Sequence, residues 1–164
     1  MPRALLALAV PVIAVIAAGC GGSSSPSTTA NTPASTTPAT TSAASAASVS
    51  TANVTGVGTV LVDAAGRTLY TFAPDMAKKV TCTSSACQST WPSLAATGAP
   101  TGSGAVKASL LGTAAGPNGK VVTYDGWPLY TFAGDSSAGT DNGQAQDLNG
   151  GDWYVIASSG TPVK

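Results

Sequence analysis

The sequence predicts an all-β fold: a compact duplicated domain of about six to eight antiparallel strands, built from two hairpin-containing repeats. Three observations carry this. Leu69-Tyr70-Thr71-Phe72-Ala73-Pro74-Asp75 recurs sixty residues later as Leu129-Tyr130-Thr131-Phe132-Ala133-Gly134-Asp135, with six of seven positions identical. Short runs of β-branched and aromatic residues alternate with Gly, Asp, Asn and Pro clusters, the punctuation of strands and turns. Helical periodicity is nearly absent.

The elements follow in chain order. In the first repeat, about residues 56–98, Thr59-Val60-Leu61-Val62 runs into the turn Asp63-Ala64-Ala65-Gly66 and then into the motif strand. Alternation places Tyr70 and Phe72 on one face of that strand, and Leu69 and Thr71 on the other. One helical turn is expected near Ser85–Ser89, around Cys87. In the second repeat, about residues 106–157, Ser109–Thr113 reads as a strand before the turn Ala114–Gly119. Lys120–Phe132 is the clearest hairpin, because Asp125-Gly126 is a strong two-residue turn signal. Trp153-Tyr154-Val155-Ile156 closes the unit as a terminal strand.

Two further segments precede this domain. Arg3 and the uncharged run Ala4–Ala18 resemble a signal peptide, the run being too short for a comfortable membrane span. The run ends in Ala17-Ala18-Gly19-Cys20, which resembles a lipobox, with Cys20 the residue to be lipidated. Residues 20–52 are Ser, Thr, Ala and Pro with scarcely any other type, uncharged and without aromatics. Such a segment buries too little apolar surface to offset chain entropy, so it reads as a disordered tether. The expected division is therefore 1–19 signal peptide, 20–52 lipidated cysteine and tether, and 53–164 folded domain.

Composition removes several classes of chemistry. The 164 residues include no His and no Glu, 7 basic and 7 acidic residues, and only 9% charged side chains. Without imidazole there is no Ser-His-Asp or Cys-His catalysis and no His-ligated metal. Zero net charge without basic runs argues against nucleic acid, which needs clustered Lys and Arg. No cofactor is implied. The expected partners are a membrane, reached through the lipid, and a cell-wall glycan or an envelope protein.

Candidate binding residues are Tyr70, Phe72, Asp75, Trp127, Tyr130, Phe132, Asp135, Asp141, Asn142, Asp147 and Trp153. Asp75 and Asp135 hold equivalent places after the motif strands. They either converge for acid/base work on a glycan, as paired carboxylates do, or each close a local turn. Asp135, Asp141 and Asp147 offer oxygen ligands to Ca²⁺, but without EF-hand spacing. Trp127, beside a turn, is the aromatic expected to be most exposed. With Cys20 assigned to lipid, Cys82 and Cys87 remain as an even pair. Outside the cytoplasm such a pair defaults to a disulfide staple, with a redox or metal-handling couple including Met76 as the alternative.

Together, the twin Tyr-x-Phe-x-x-Asp motifs, Cys82 and Cys87 before Trp91-Pro92, and Gly139–Gln144 before Trp153-Tyr154 resemble a bacterial group. It is the family of predicted lipoproteins with a repeated Tyr-x-(Phe/Trp/Tyr)-x-x-Asp motif, the secreted repeat of unknown function. The resemblance spans about residues 56–157. Trp91-Pro92-Ser93 departs from the more usual Trp-Pro-Pro, and Asn149–Asp152 lengthens the loop before Trp153. It implies export and a duplicated domain but no established reaction. The sequence thus points to a lipid-anchored, extracytoplasmic module that binds or builds and does not catalyse. An Asp-dependent wall-glycan enzyme is the alternative.

Overall fold

A computed structural model describes residues 46–75 and 78–164. The leader, Cys20, residues 21–45 of the expected tether, and Met76 lie outside the described residues. Strand β1 (Ser48–Val54) pairs antiparallel with β2 (Gly58–Asp63), with Val49 opposite Asp63 and Val54 opposite Gly58. The folded region therefore begins upstream of the expected boundary at residue 53. Val49 and Val54 are buried, and two well-placed valines anchor a stretch whose average composition reads as tether.

The motif strand β3 (Tyr70–Phe72) is followed by a short α-helix, α1 (Ser85–Thr90), capped by the Ser84 hydroxyl accepting from Cys87 N–H at 3.2 Å. Cys82 and Cys87 form the expected disulfide, and both sit in the core. A two-residue strand β4 (Thr101–Gly102) adds to β1 in parallel. The second hairpin joins β5 (Leu111–Gly116) to β6 (Gly119–Tyr124), and β7 (Trp127–Pro128) returns along β6. Asp125 and Gly126 both take positive φ, 49° and 81°, the conformation that a tight two-residue hairpin requires. Strands β8 (Gln146–Leu148) and β9 (Gly151–Val155) form a hairpin of their own, so the extra residues Asn149–Asp152 build a turn and a strand start. The described residues thus hold nine strands in three three-stranded sheets, two of the strands only two residues long. The fold is all-β, as the repeat pattern predicts, with slightly more strands than expected.

The two repeats do not fold side by side. Each completes the other. Strand β3 of the first repeat pairs with β9 of the second, Tyr70 opposite Val155 and Phe72 opposite Trp153. Reciprocally, Thr131 N–H of the second motif donates to Pro92 C=O of the first repeat at 2.9 Å. Where the two motifs cross, Tyr70 and Tyr130 exchange both backbone hydrogen bonds, at 2.8 and 3.0 Å. A closed ring of bonds repeats in each half. Leu69 N–H donates to Leu61 C=O, Leu61 to Ile156, and Ile156 to Leu69. In the other half the same circuit runs through Leu129, Val122 and Leu94. Ile156 and Leu94 come from the opposite repeat each time. This is an approximate two-fold with exchanged terminal segments.

Strand alternation then divides the interior. Tyr70, Phe72 and Tyr130 face an aromatic core with Trp91, Trp153 and the disulfide, and half-buried Phe132 packs against it. Leu69 and Leu129 face a second, aliphatic core with Val49, Leu61, Val122 and Ile156. Each motif strand therefore serves two cores, which its unbroken apolar and aromatic run requires.

Candidate functional site

The repeated motif occupies the centre of the aromatic core. Trp91 and Trp153 stack face to face, centroids 3.9 Å apart and planes 1° from parallel. Phe72 extends the stack beyond Trp153 at 4.2 Å, and Phe132 beyond Trp91 at 4.4 Å. Tyr70 and Tyr130 meet the stack edge-on, at Trp91 and Trp153 respectively. Such offset and edge-on contacts stabilise a core beyond the area they bury.

The two motif aspartates finish this arrangement. Tyr70 O–H donates to Asp135 Oδ2 at 2.7 Å, and Tyr130 O–H donates to Asp75 Oδ2. Each tyrosine thus reaches the carboxylate of the other repeat. Asp75 also accepts from Thr81 N–H at 2.7 Å and Thr81 O–H at 2.5 Å, while Asp135 accepts from Asn142 N–H at 2.9 Å. Gly143 N–H in turn donates to the Tyr70 hydroxyl at 3.3 Å. Burial pushes the Tyr70 and Tyr130 hydroxyls far above their ordinary value of 10.0, and the facing carboxylate pushes the same way. Burial likewise raises Asp75, although the bonds from Thr81 and Tyr130 pull it back.

This geometry bears directly on the candidate residues. Tyr70, Phe72, Asp75, Tyr130, Asp135 and Trp153 are all at most 7% exposed, and no ligand reaches them without unfolding the core. Asp75 and Asp135 do not meet in an open cleft. Each is spent on the opposite tyrosine and on a loop six or seven residues further along its own chain, which removes the geometric ground for a paired-carboxylate enzyme. Asp141 is half-buried, and Asn142 and Asp147 are exposed. Among the described residues no three of His, Cys, Asp or Glu gather to hold a metal ion. The calcium reading therefore has no ligand cluster: Asp135 turns inward to Tyr70, and Asp147 sits on the exposed strand β8.

Trp127 is different. It is half-buried on β7 and lines a groove of about 560 Å³ with Tyr154 of β9. Ala73 and Pro162 add apolar floor, and Thr71, Thr161 and Lys164 complete the wall. Lys164 Nζ lies 5.7 Å from the centre of the Tyr154 ring. Of these lining residues the sequence singled out Trp127 and missed the rest. Thr71, only 1% exposed, lies on the strand face it shares with core-facing Leu69, so alternation gave no sign of it. The tail from Thr161 to Lys164 carries no local signal either, because long-range bonds fold it back: Ala157 N–H to Thr161 C=O at 3.0 Å, Val163 N–H to Val155 C=O at 2.8 Å and the Gln144 side-chain amide to Val163 C=O at 2.7 Å.

The secreted repeat of unknown function matches residues 51–95 and again 112–157, one copy in each interlocked half. The chain belongs to this family. No curated protein and no solved structure matches. As a secreted repeat the domain lies outside the cytoplasm, where its disulfide is stable. Among the described residues no helix is long and apolar enough to cross a membrane. In this secreted repeat the Tyr-x-Phe-x-x-Asp signature is spent on the junction between its two copies.

Proposed function

We propose that this chain is a lipid-anchored, non-catalytic binding module of the cell envelope, held by a diacylglyceryl group on Cys20, with the Trp127–Tyr154 groove as its ligand platform. The observation that carries the reading is the division of the aromatics. Seven of the nine pack in the two cores, while Trp127, packed against the aliphatic core on one side, and Tyr154 line a largely apolar groove. The envelope partner is a wall glycan or a protein of the same compartment. The Ala17-Ala18-Gly19-Cys20 pattern supports the anchor.

Two experiments test the two parts. Radiolabelled palmitate should enter the wild-type chain and not Cys20→Ala, and equal labelling of both would refute the anchor. Delipidated envelope should sediment the Cys20→Ala protein, and adding Trp127→Ala should leave at least tenfold more in the supernatant, the scale of losing one buried aromatic contact. Unchanged sedimentation of the double variant would refute the groove.

A further inference from the structure

The disulfide constrains how the chain is assembled. Cys82 and Cys87 are 2% and 3% exposed, in the same core cluster as Trp91. Both belong to the first repeat, but the cluster that buries them takes Tyr130, Trp153 and Val155 from the second. The segment before Cys82 is tied to the same junction. Thr81 gives its N–H and O–H to Asp75 Oδ1, and Asp75 Oδ2 accepts from the Tyr130 hydroxyl. Once the halves interlock, a thiol here meets no reagent. Apolar surroundings also hold it protonated, whereas the thiolate is the form that reacts. The two cysteines are five residues apart in sequence. Groups this close along an unfolded chain meet within about 100 ns, so their pairing needs no part of the second repeat. A chain that emerges N-terminus first presents both thiols before Tyr130, Trp153 and Val155 have arrived. From this we infer that the first repeat is the substrate of an extracytoplasmic dithiol oxidase, and that the bridge is closed before the second repeat interlocks over it. The thiolate of one cysteine attacks the reactive disulfide of the oxidase, forming a mixed disulfide and expelling one thiolate. The thiolate of the other cysteine then attacks its neighbour's sulfur, closing Cys82–Cys87 and expelling the second thiolate. Two electrons pass to the oxidase, and the two protons lost by the cysteines end on its two thiols. The assignment needs only the burial of the pair and a location outside the cytoplasm.

The test uses the full exported chain carrying Cys20→Ala, which leaves Cys82 and Cys87 as its thiols. The reduced chain is given oxidised glutathione either in urea or after refolding under a reductant that is then removed, and the remaining thiols are captured with a maleimide. The refolded chain, identified by its near-ultraviolet tryptophan signal, should oxidise at least roughly a hundredfold more slowly, because only its transiently opened fraction reacts. Comparable rates would overturn the order of events. A reduced chain that gains the tryptophan signal only after the bridge forms would support that order in its strictest form. A second arm tests the partner. In a bacterial host lacking its extracytoplasmic dithiol oxidase, the exported chain should be trapped with both thiols free, and cystine added to the medium should restore the bridge. A chain bridged as fast as in the intact host would overturn the assignment to an oxidase.

Discussion

Tyr70 and Tyr130 give the motif its meaning, because the hydroxyl of each donates a hydrogen bond to an aspartate belonging to the other copy. Removing one hydroxyl leaves a buried carboxylate short of a charge-assisted bond. Tyr130→Phe and Tyr70→Phe should therefore each lower unfolding free energy by about 2 kcal/mol in urea titrations. Loss below about 0.5 kcal/mol would mean that the bonds are incidental. The raised hydroxyls also set a pH dependence. Above pH 10 the unfolded tyrosines release protons that the folded ones keep, so the folded state binds more protons and stability falls as pH rises. The slope is about 1.4 kcal/mol per pH unit for each tyrosine. The Tyr70→Phe/Tyr130→Phe double variant should lose most of that alkaline slope. Asp75 has the same sign at acid pH. Its folded value lies above 3.8, so the stability it contributes is full below that pH and declines as pH rises through its folded value. Gly143 shows how closely this centre is packed: a Cβ there would lie 2.7 Å from the Trp91 ring and 3.0 Å from Tyr70. Gly143→Ala should cost about 1–3 kcal/mol through overpacking.

The two halves differ in the element that precedes each stacked tryptophan. In the second half the β8–β9 hairpin places Leu148 C=O 3.0 Å from the Trp153 indole N–H. In the first half α1 and the disulfide stand in that place, and the Trp91 indole N–H is buried without a partner. Trp153→Phe should therefore cost about 1 kcal/mol more than Trp91→Phe, by chemical denaturation. The disulfide closes a short loop, so the Cys82→Ala/Cys87→Ala pair should cost about 2 kcal/mol in the chain-entropy account. Much of this level was legible beforehand. The Asp125-Gly126 turn, the helical turn at Cys87, the terminal strand at Trp153 and the facing of Tyr70 with Phe72 all follow from local chemistry. What stayed hidden was pairing across distance. Nothing in the composition of residues 48–52 marks them as a strand, since their stability comes from β2 and β4. Nothing in Tyr-x-Phe-x-x-Asp distinguishes an exposed platform from a buried junction, because a stacked aromatic and a ligand-binding aromatic read alike.

At the scale of the whole molecule, duplication has become interdependence. The segments ending in Leu94 and Ile156 each fill the ring of backbone bonds in the opposite repeat, and the tryptophan stack is shared equally between them. The sheet β8–β9–β3 and the aromatic core are each built from both halves, so the domain should unfold as one cooperative unit. This also explains why so few charges suffice. The interior is fixed by backbone pairing, stacking and two tyrosine–aspartate bonds. The connection between the halves passes through Gly98 and Ala99, both exposed. A protease recognition sequence inserted there and cleaved in the folded protein tests the interlock most directly. The two fragments should co-elute at the mass of the uncut chain and unfold in a single transition. Fragments that separate without denaturant, each keeping its own β-sheet signature, would contradict the exchange of segments on which this account stands.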